Sequence, residues 1–468
     1  MDAAPAIQPQ RSQPPALVRG LGLLDSVLLL VGGIIGSGIF LTSGQIADEL
    51  RQPAAFLLVW VAGGAISLLA CFAFAELGGM FPEAGGQYVY LREAYGNLPG
   101  FLYGWMMFTV GGSGTIAALA VGFAEYIGAA IPAAAAHRGV ASVLGFELTR
   151  GHLVSMGAIG LLTAINVAGL RRGAVLQNVA TWMKFAAIAV FVGLGFVAGR
   201  GDWSHYTSPS AMAPPTSMLS AFGVALIAVF WAYDGWVYIT WVAGEVRQPQ
   251  RTLPRAMVAA VMVVGAAYVA MNAVYLYALP MNAMAQQTTI AQTAAVALFS
   301  PAAARWMALM IAVSCFGAMS CAILSGSRIY YAMAHDGLFF RSLARVHPRW
   351  RTPALSLVVQ GCWAAVLALS GRYDQLFTYV MFGMVLSYVA AVAGVFVLRR
   401  TRPGHPRPYR CTGYPYLPAL YLLLSGAWAL NAVWQRPKEA LAGAVIVLLG
   451  VPGYVYWRRK QEPNSVVP

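Results

Sequence analysis

Apolar residues run along almost the whole chain in stretches of ~20, the length a helix needs to cross a bilayer core, separated by short polar or charged connections. About twelve such stretches can be placed, near 21–47, 54–81, 99–130, 152–170, 175–199, 217–245, 256–279, 302–333, 354–371, 376–398, 415–434 and 440–457. Two of them do not read as unbroken helix. The first carries VGGIIGSGIF at 31–40 and the sixth carries FWAYDGW at 230–236, so glycine and polar residues stand inside membrane-length segments. In hydrocarbon every peptide group needs a partner, and interrupted backbone is tolerated only where it is buried in protein or lines a watery cavity.

The two interruptions lie about 200 residues apart. If the repeating unit is five helices, an odd number, its second copy enters the membrane from the opposite side, which predicts an inverted repeat with its binding site between the two broken helices. The loops agree, because a polar, Gly-rich stretch at 82–96 follows the second span and a comparable uncharged one at 281–299 follows the seventh. Each predicts a short interfacial segment. The expected fold is therefore an all-α polytopic membrane protein of about 12 transmembrane helices, with a 5+5 inverted repeat and broken helices 1 and 6. The expected divisions are a disordered tail at 1–20, a first repeat at 21–199, a second at 217–398, helices 11 and 12 at 399–457, and a tail at 458–468. Gly63, Gly64, Gly78 and Gly79 read as close-packing surfaces, whereas Gly36, Gly38 and Gly235, clustered with polar residues, read as parts of a site.

Composition closes off the soluble classes: 59% of residues are hydrophobic, 10% are charged and the mean hydropathy is +0.66. With the N-terminus inside, 21 of the 30 basic residues fall in inner loops and tails, eight fall outside, and Lys184 alone lies within a span. The positive-inside rule then puts both termini in the cytoplasm. The net charge of +14 follows from that topology and from attraction to anionic lipid headgroups. Nucleic-acid binding needs a concentrated basic face, and none is evident. The first 20 residues lack the apolar core of a cleaved signal peptide. Five cysteines (Cys71, Cys315, Cys321, Cys362, Cys411) form no C-x-x-C pair, so neither a disulfide framework nor a metal site is suggested, and no cofactor is called for.

Broken helices suit a particular solute. A zwitterionic amino acid presents a carboxylate and an ammonium, and free N–H groups at Gly36, Ser37 and Gly38 would hold the first. Unpaired carbonyls at Ile34 and around 231–234 would hold the second. Lys184, deep in span five, needs carbonyls or a carboxylate, or else snorkels to the inner surface. Asp234 either faces the site or caps the half-helix that follows. Glu76, Glu245 and Asp25, at inner span ends, are either salt-bridge latches or solvated ends.

The motifs GSGIF, FAELG, PEAGGQYVYLREAYG, WAYDGW and SGSRIYYAMAHDG together resemble the L-type amino acid transporter family of the amino acid, polyamine and organocation superfamily. The likeness runs in consistent order from about 20 to 458. It implies a twelve-helix antiporter of neutral amino acids, of bacterial type and resident in the inner membrane, with Ile34, Ser37, Gly38, Trp231 and Asp234 touching the backbone of the substrate. Trp231 matches the aromatic gate that closes over the solute from outside. Lys184 matches a lysine that occupies the place of the ion in sodium-coupled relatives, with Ser314 its candidate companion on span eight and the Gly36 region opposite. A fixed positive charge there replaces Na⁺.

Two positions depart from the pattern. Asp234 stands where animal members have glycine and Val237 where a polar Asn is frequent, which leaves the preferred side chain open. The loop 131–151 contains no cysteine, where animal members paired to a heavy chain carry one, so no disulfide-linked partner and no accessory subunit is expected. The sequence thus reads as a sodium-independent transporter of neutral L-α-amino acids, an exchanger working by alternating access. A proton-coupled importer or an amino acid/amine antiporter is the alternative within transport, and a non-transporting receptor the alternative outside it. A membrane enzyme would need clustered ionisable groups near an interface, and the sequence offers none.

Overall fold

The computed structural model describes residues 16–143, 146–208, 217–285, 287–370, 373–435 and 437–461. The expected tails lie largely outside them. The first apolar stretch forms two helices, α1 (Leu23–Ile34) and α2 (Gly38–Leu50), bent by 45° at their junction. Ile35 has φ −76° and ψ 85°, and the Gly36 amide donates to the Ile34 carbonyl at 2.8 Å. That two-residue closure is an inverse γ-turn, and it ends α1. Proline at the first position opens α3 (Pro53–Met80), where its missing N–H is harmless.

After the short α4 (Gln87–Tyr95), α5 (Asn97–Met106) runs through a π turn at Met107–Gly111 into α6 (Gly112–Ala130). The connection that follows is not plain loop: β1 (Gly139–Val143) pairs antiparallel with β2 (Phe146–Thr149). Thr149 then caps α7 (Arg150–Val167), accepting from the His152 amide. α8 (Leu170–Val197) completes the first half. The sixth stretch is broken like the first, into α9 (Met218–Tyr233) and the single turn α10 (Tyr238–Trp241).

α11 (Pro249–Ala278) is followed by two short helices, α12 (Met281–Ala285) and α13 (Ile290–Leu298), where the sequence predicts an interfacial segment. α14 (Pro301–His335), α15 (Ala354–Leu369), α16 (Tyr373–Thr401) and α17 (Tyr416–Gln435) come next. The last stretch is jointed, as α18 (Pro437–Leu448) and α19 (Gly450–Gln461). Pro452 has no N–H to give the Leu448 carbonyl, so the ladder lapses there. Among the described residues, seven helices are long and apolar enough to cross a membrane, or eight if the bent α1–α2 pair counts as one span. α9 and α15, of 16 residues each, are apolar but shorter.

α14 is the axis of the bundle, with 78% of its most apolar window enclosed by α6, α8, α1, α7 and α15. α1 is wedged between α8, α11 and α14, and α2 lies along α9. Gly63 and Gly64 on α3 sit against α9, where a Cβ at Gly63 would stand 2.2 Å from the Val229 side chain, so these glycines let two helices approach closely.

One end of the bundle is pinned by ion pairs. Arg328 on α14 makes a bidentate bridge to Glu245 at 2.7 and 2.9 Å, and both side chains are fully buried. Glu76 at the end of α3 takes Arg399 at 2.6 and 3.0 Å, has Arg407 at 3.4 Å, and accepts the Cys411 amide. These carboxylates are ion-paired and not solvated ends. Asp25 instead accepts from the Gly22 amide at 3.1 Å and from Asn178 on α8 at 2.7 Å. The Glu245 carbonyl also accepts the Gly20 and Leu21 amides, while the Arg247 amide donates to Leu21, so the chain entering α1 is stitched to the chain leaving α10.

A buried charge left alone is costly, whereas an exposed pair contributes little. Glu245→Gln is expected to lower stability by about 3 to 5 kcal/mol in denaturant titrations of the detergent-solubilised protein. Arg402→Gln, which removes a 42% exposed partner of Glu93, should cost less than about 1 kcal/mol in the same titration.

Candidate substrate-binding site

The two breaks touch. A Cβ added at Gly38 would lie 2.8 Å from the Ala232 Cα, and one added at Gly235 would lie 3.0 to 3.1 Å from the backbone of Gly33 and Ile34. Gly235 also has φ +115°, a conformation that L side chains rarely adopt. Glycine is therefore required at both positions for the unwound segments to meet main chain to main chain. Beside this junction lies a cleft of about 470 Å³, its open mouth included. Ile34, Gly36, Ser37, Gly38, Trp231 and Asp234 line it, together with Gly33, Thr115, Leu119 and Tyr238. Gly235 sits behind the wall, and Lys184 and Ser314 lie on the opposite side of the α1 break.

The backbone groups around the break are partly engaged within the protein. The Gly36 amide, expected free, is used in the γ-turn. The Ile34 carbonyl, expected unpaired, accepts that amide and also faces the Tyr268 hydroxyl at 3.1 Å. Among the described residues the amides of Ser37 and Gly38 have no backbone acceptor, and both residues border the cleft. They are the donors available to an anionic group, at the N-terminus of α2.

On the far side, the Lys184 ammonium donates to the carbonyls of Gly32 and Ile35, each at 2.7 Å, and is 2% exposed. Ser314 on α14 donates to Ile35 at 3.0 Å or Gly36 at 2.9 Å. Lys184 does not snorkel: its charge is seated on the orphan C-terminal carbonyls of α1, the negative end of that helix dipole. Thr181, one turn earlier on α8, donates to the Leu28 carbonyl at 3.1 Å, and Cys321 on α14 lies 3.3 Å from that of Leu29. Four side chains on two helices thus grip the last two turns of α1.

Asp234 follows the last residue of α9 and accepts a hydrogen bond from the Tyr388 hydroxyl on α16. It does not cap α10, whose N-cap is Val237 with no side-chain bond. A second cleft, lined by Ile66, Ser67, Trp236, Tyr388 and Tyr421, opens on the other side of this pair. Asp234 is therefore a partition between two cavities.

Sequence reasoning missed Tyr388 and, above all, Tyr268. Tyr268 is fully buried on α11, and its hydroxyl reaches the Ala232 carbonyl at 2.8 Å as well as that of Ile34. It spans the two breaks. A tyrosine in mid-span must find an acceptor in a dry interior, but nothing in the spacing of α11 says which carbonyls it reaches.

Comparison with known proteins bears on this geometry. The pattern that defines the family described as "Amino acid permease" matches residues 21–451, which include both breaks, Lys184 and Ser314. The chain belongs to that family. Among proteins similar to this permease, the serine/threonine exchanger SteT of Bacillus subtilis (strain 168) is 31% identical over 455 residues, covering 96% of this chain and 98% of that protein. The b(0,+)-type amino acid transporter 1 of Mus musculus is 29% identical, covering 95% and 89%, and the Asc-type amino acid transporter 1 of the same species is 29% identical, covering 96% and 84%. The resemblance to L-type transporters read from the motifs is thus supported along nearly the full length of the permease.

Losing a hydrogen bond to a buried acceptor costs on the order of 1 to 3 kcal/mol. Tyr268→Phe is expected to weaken binding of a radiolabelled substrate by roughly tenfold in a scintillation proximity assay, while Gly235→Ala, which forces a Cβ against the Gly33 carbonyl, abolishes it.

Proposed function

We propose that this permease is a sodium-independent exchanger of neutral L-α-amino acids, working by alternating access around the cleft between the two breaks. The observation that carries the reading is the Lys184 ammonium, fixed on the Gly32 and Ile35 carbonyls with Ser314 beside it. An ammonium that belongs to the protein occupies the ground where a coupling ion would have to bind, and it compensates the α1 dipole without being carried. In this reading the substrate carboxylate takes the Ser37 and Gly38 amides, and its ammonium takes carbonyls at the end of α9. Trp231 borders the cleft and acts as the outer gate. The names of the relatives, a serine/threonine exchanger among them, support exchange of small amino acids.

The same reading takes the fold as twelve spans in two inverted five-helix units, 21–199 and 217–398, with helices 11 and 12 outside the repeat and both termini in the cytoplasm. The likeness of the two broken stretches supports it, as does the occurrence of short helices after α3 and after α11. Function without an accessory subunit is part of the proposal, supported by a loop at 131–151 that contains no cysteine.

Alternating access follows from how the solute would be held. Each half-site belongs to a separate broken helix, so a molecule that touches both favours the arrangement in which they are close. An empty carrier loses that contribution and reorients slowly, which makes movement obligatory in both directions.

The test is counterflow in vesicles. Radiolabelled serine is expected to accumulate only when unlabelled amino acid is inside, with no gain on replacing potassium by sodium, and Lys184→Ala is expected to abolish uptake. Uptake into empty vesicles driven by an inward proton gradient would instead identify a proton-coupled importer, and retained binding with no flux would identify a receptor.

A further inference from the structure

α14 ends at His335, and the chain then turns through Gly337 into a short 3₁₀ segment at Arg341–Ala344 that lies beside α19. Between them opens a cleft of about 580 Å³, mouth included, far from the junction of the broken helices. Its floor is aromatic and fixed. The Trp457 ring lies 5.2 Å from Phe339, 5.3 Å from Phe340 and 5.5 Å from Tyr456, centre to centre. Phe339 is buried and anchors the group, whereas Phe340 and Tyr456 remain 56% and 58% exposed. Arg341 and Lys460 stand at the rim, with the Lys460 ammonium 5.7 Å from the Tyr456 ring centre.

Charge around the cleft is predominantly basic, and the neighbouring Asp336, next to the lining residue Gly337, is already held by Arg92 and Tyr88. Residues 337–353 and 450–461 contribute seven Arg and Lys and no carboxylate. Among the described residues neither Arg341 nor Lys460 forms a salt bridge. The membrane-length spans Pro301–His335 and Leu441–Lys460 both finish here, so the cleft sits at the depth of lipid headgroups.

An exposed aromatic surface, a concave shape and two unpaired cations at that depth call for a molecule with an apolar body and an anionic head. We propose that this cleft binds the headgroup of one anionic phospholipid, its phosphate between Arg341 and Lys460 and its glycerol backbone against Phe340 and Tyr456. Free phosphate shares the anion but has nothing to lay on the rings. Phosphatidylcholine shares the body, but its choline cation opposes the rim.

Native mass spectrometry of the full chain in detergent micelles, titrated with phosphatidylglycerol or phosphatidylcholine, tests this. Wild type is expected to retain one phosphatidylglycerol in preference to phosphatidylcholine. Arg341→Gln with Lys460→Gln should weaken that retention by roughly tenfold to thirtyfold, as expected for losing two headgroup contacts. Arg171→Gln with Arg172→Gln, the same loss of charge at exposed positions of α8, should leave it unchanged. Equal retention of the two lipids by wild type would overturn the proposal without recourse to any variant, and so would an equal effect of the two double variants. Displacement of phosphatidylglycerol by millimolar inorganic phosphate would overturn it in favour of a free-anion site.

Discussion

A membrane interior forgives an open backbone only when something else completes it, and here the completion is done by side chains from neighbouring helices. The last carbonyls of α1 are taken by Lys184 and Ser314, and those of the preceding turn by Thr181 and Cys321. Without Lys184 and Ser314 the break at Ile35 would leave the carbonyls of residues 32, 35 and 36 stranded in a medium that cannot solvate them. The charge on Lys184 is affordable for the same reason, since two carbonyls at the negative end of a helix replace its water. Each makes the other possible, and the cleft beside them follows from both.

Close approach is the second constraint. The unwound segments meet through Gly38 on Ala232 and Gly235 on Gly33, contacts that any Cβ would push apart. Their ends remote from the breaks are joined as well, where residues 20–21 hydrogen-bond to 245–247 around the buried Glu245–Arg328 pair. The two broken stretches therefore behave as one coupled unit inside a frame formed by α14 and its neighbours. Rigid elements carry the frame, and the irregular backbone lies where a solute can reach it.

Much of this was legible in the residues. Gly36, Ser37, Gly38, Asp234 and Gly235 interrupt apolar runs, and in a chain otherwise so hydrophobic an interruption is a strong signal. Lys184 was legible because a lone charge in a span must be held by something, although the sequence could not say that the holders are the carbonyls of residues 32 and 35. The choice between latch and solvated end at Glu76 and Glu245 depended on partners 83 and 323 residues away in sequence, which no local pattern encodes. The engaged state of the Gly36 amide was missed for a different reason: a γ-turn needs only a torsion at Ile35, and no residue type announces it. The hairpin between α6 and α7 escaped because its strands, of five and four residues, are too short for a period of two to stand out.

Tyr268 has a property that its two short contacts conceal. A phenol owns a single hydrogen, yet two carbonyl oxygens from different half-helices lie within its reach. Whichever segment withdraws, the proton can settle on the one that stays, so parting the halves strands no hydroxyl in the dry interior. In the exchange cycle proposed above, the ring would serve as a hinge pin whose bond is handed over and not broken, lowering the cost of any movement between the two ruptured helices.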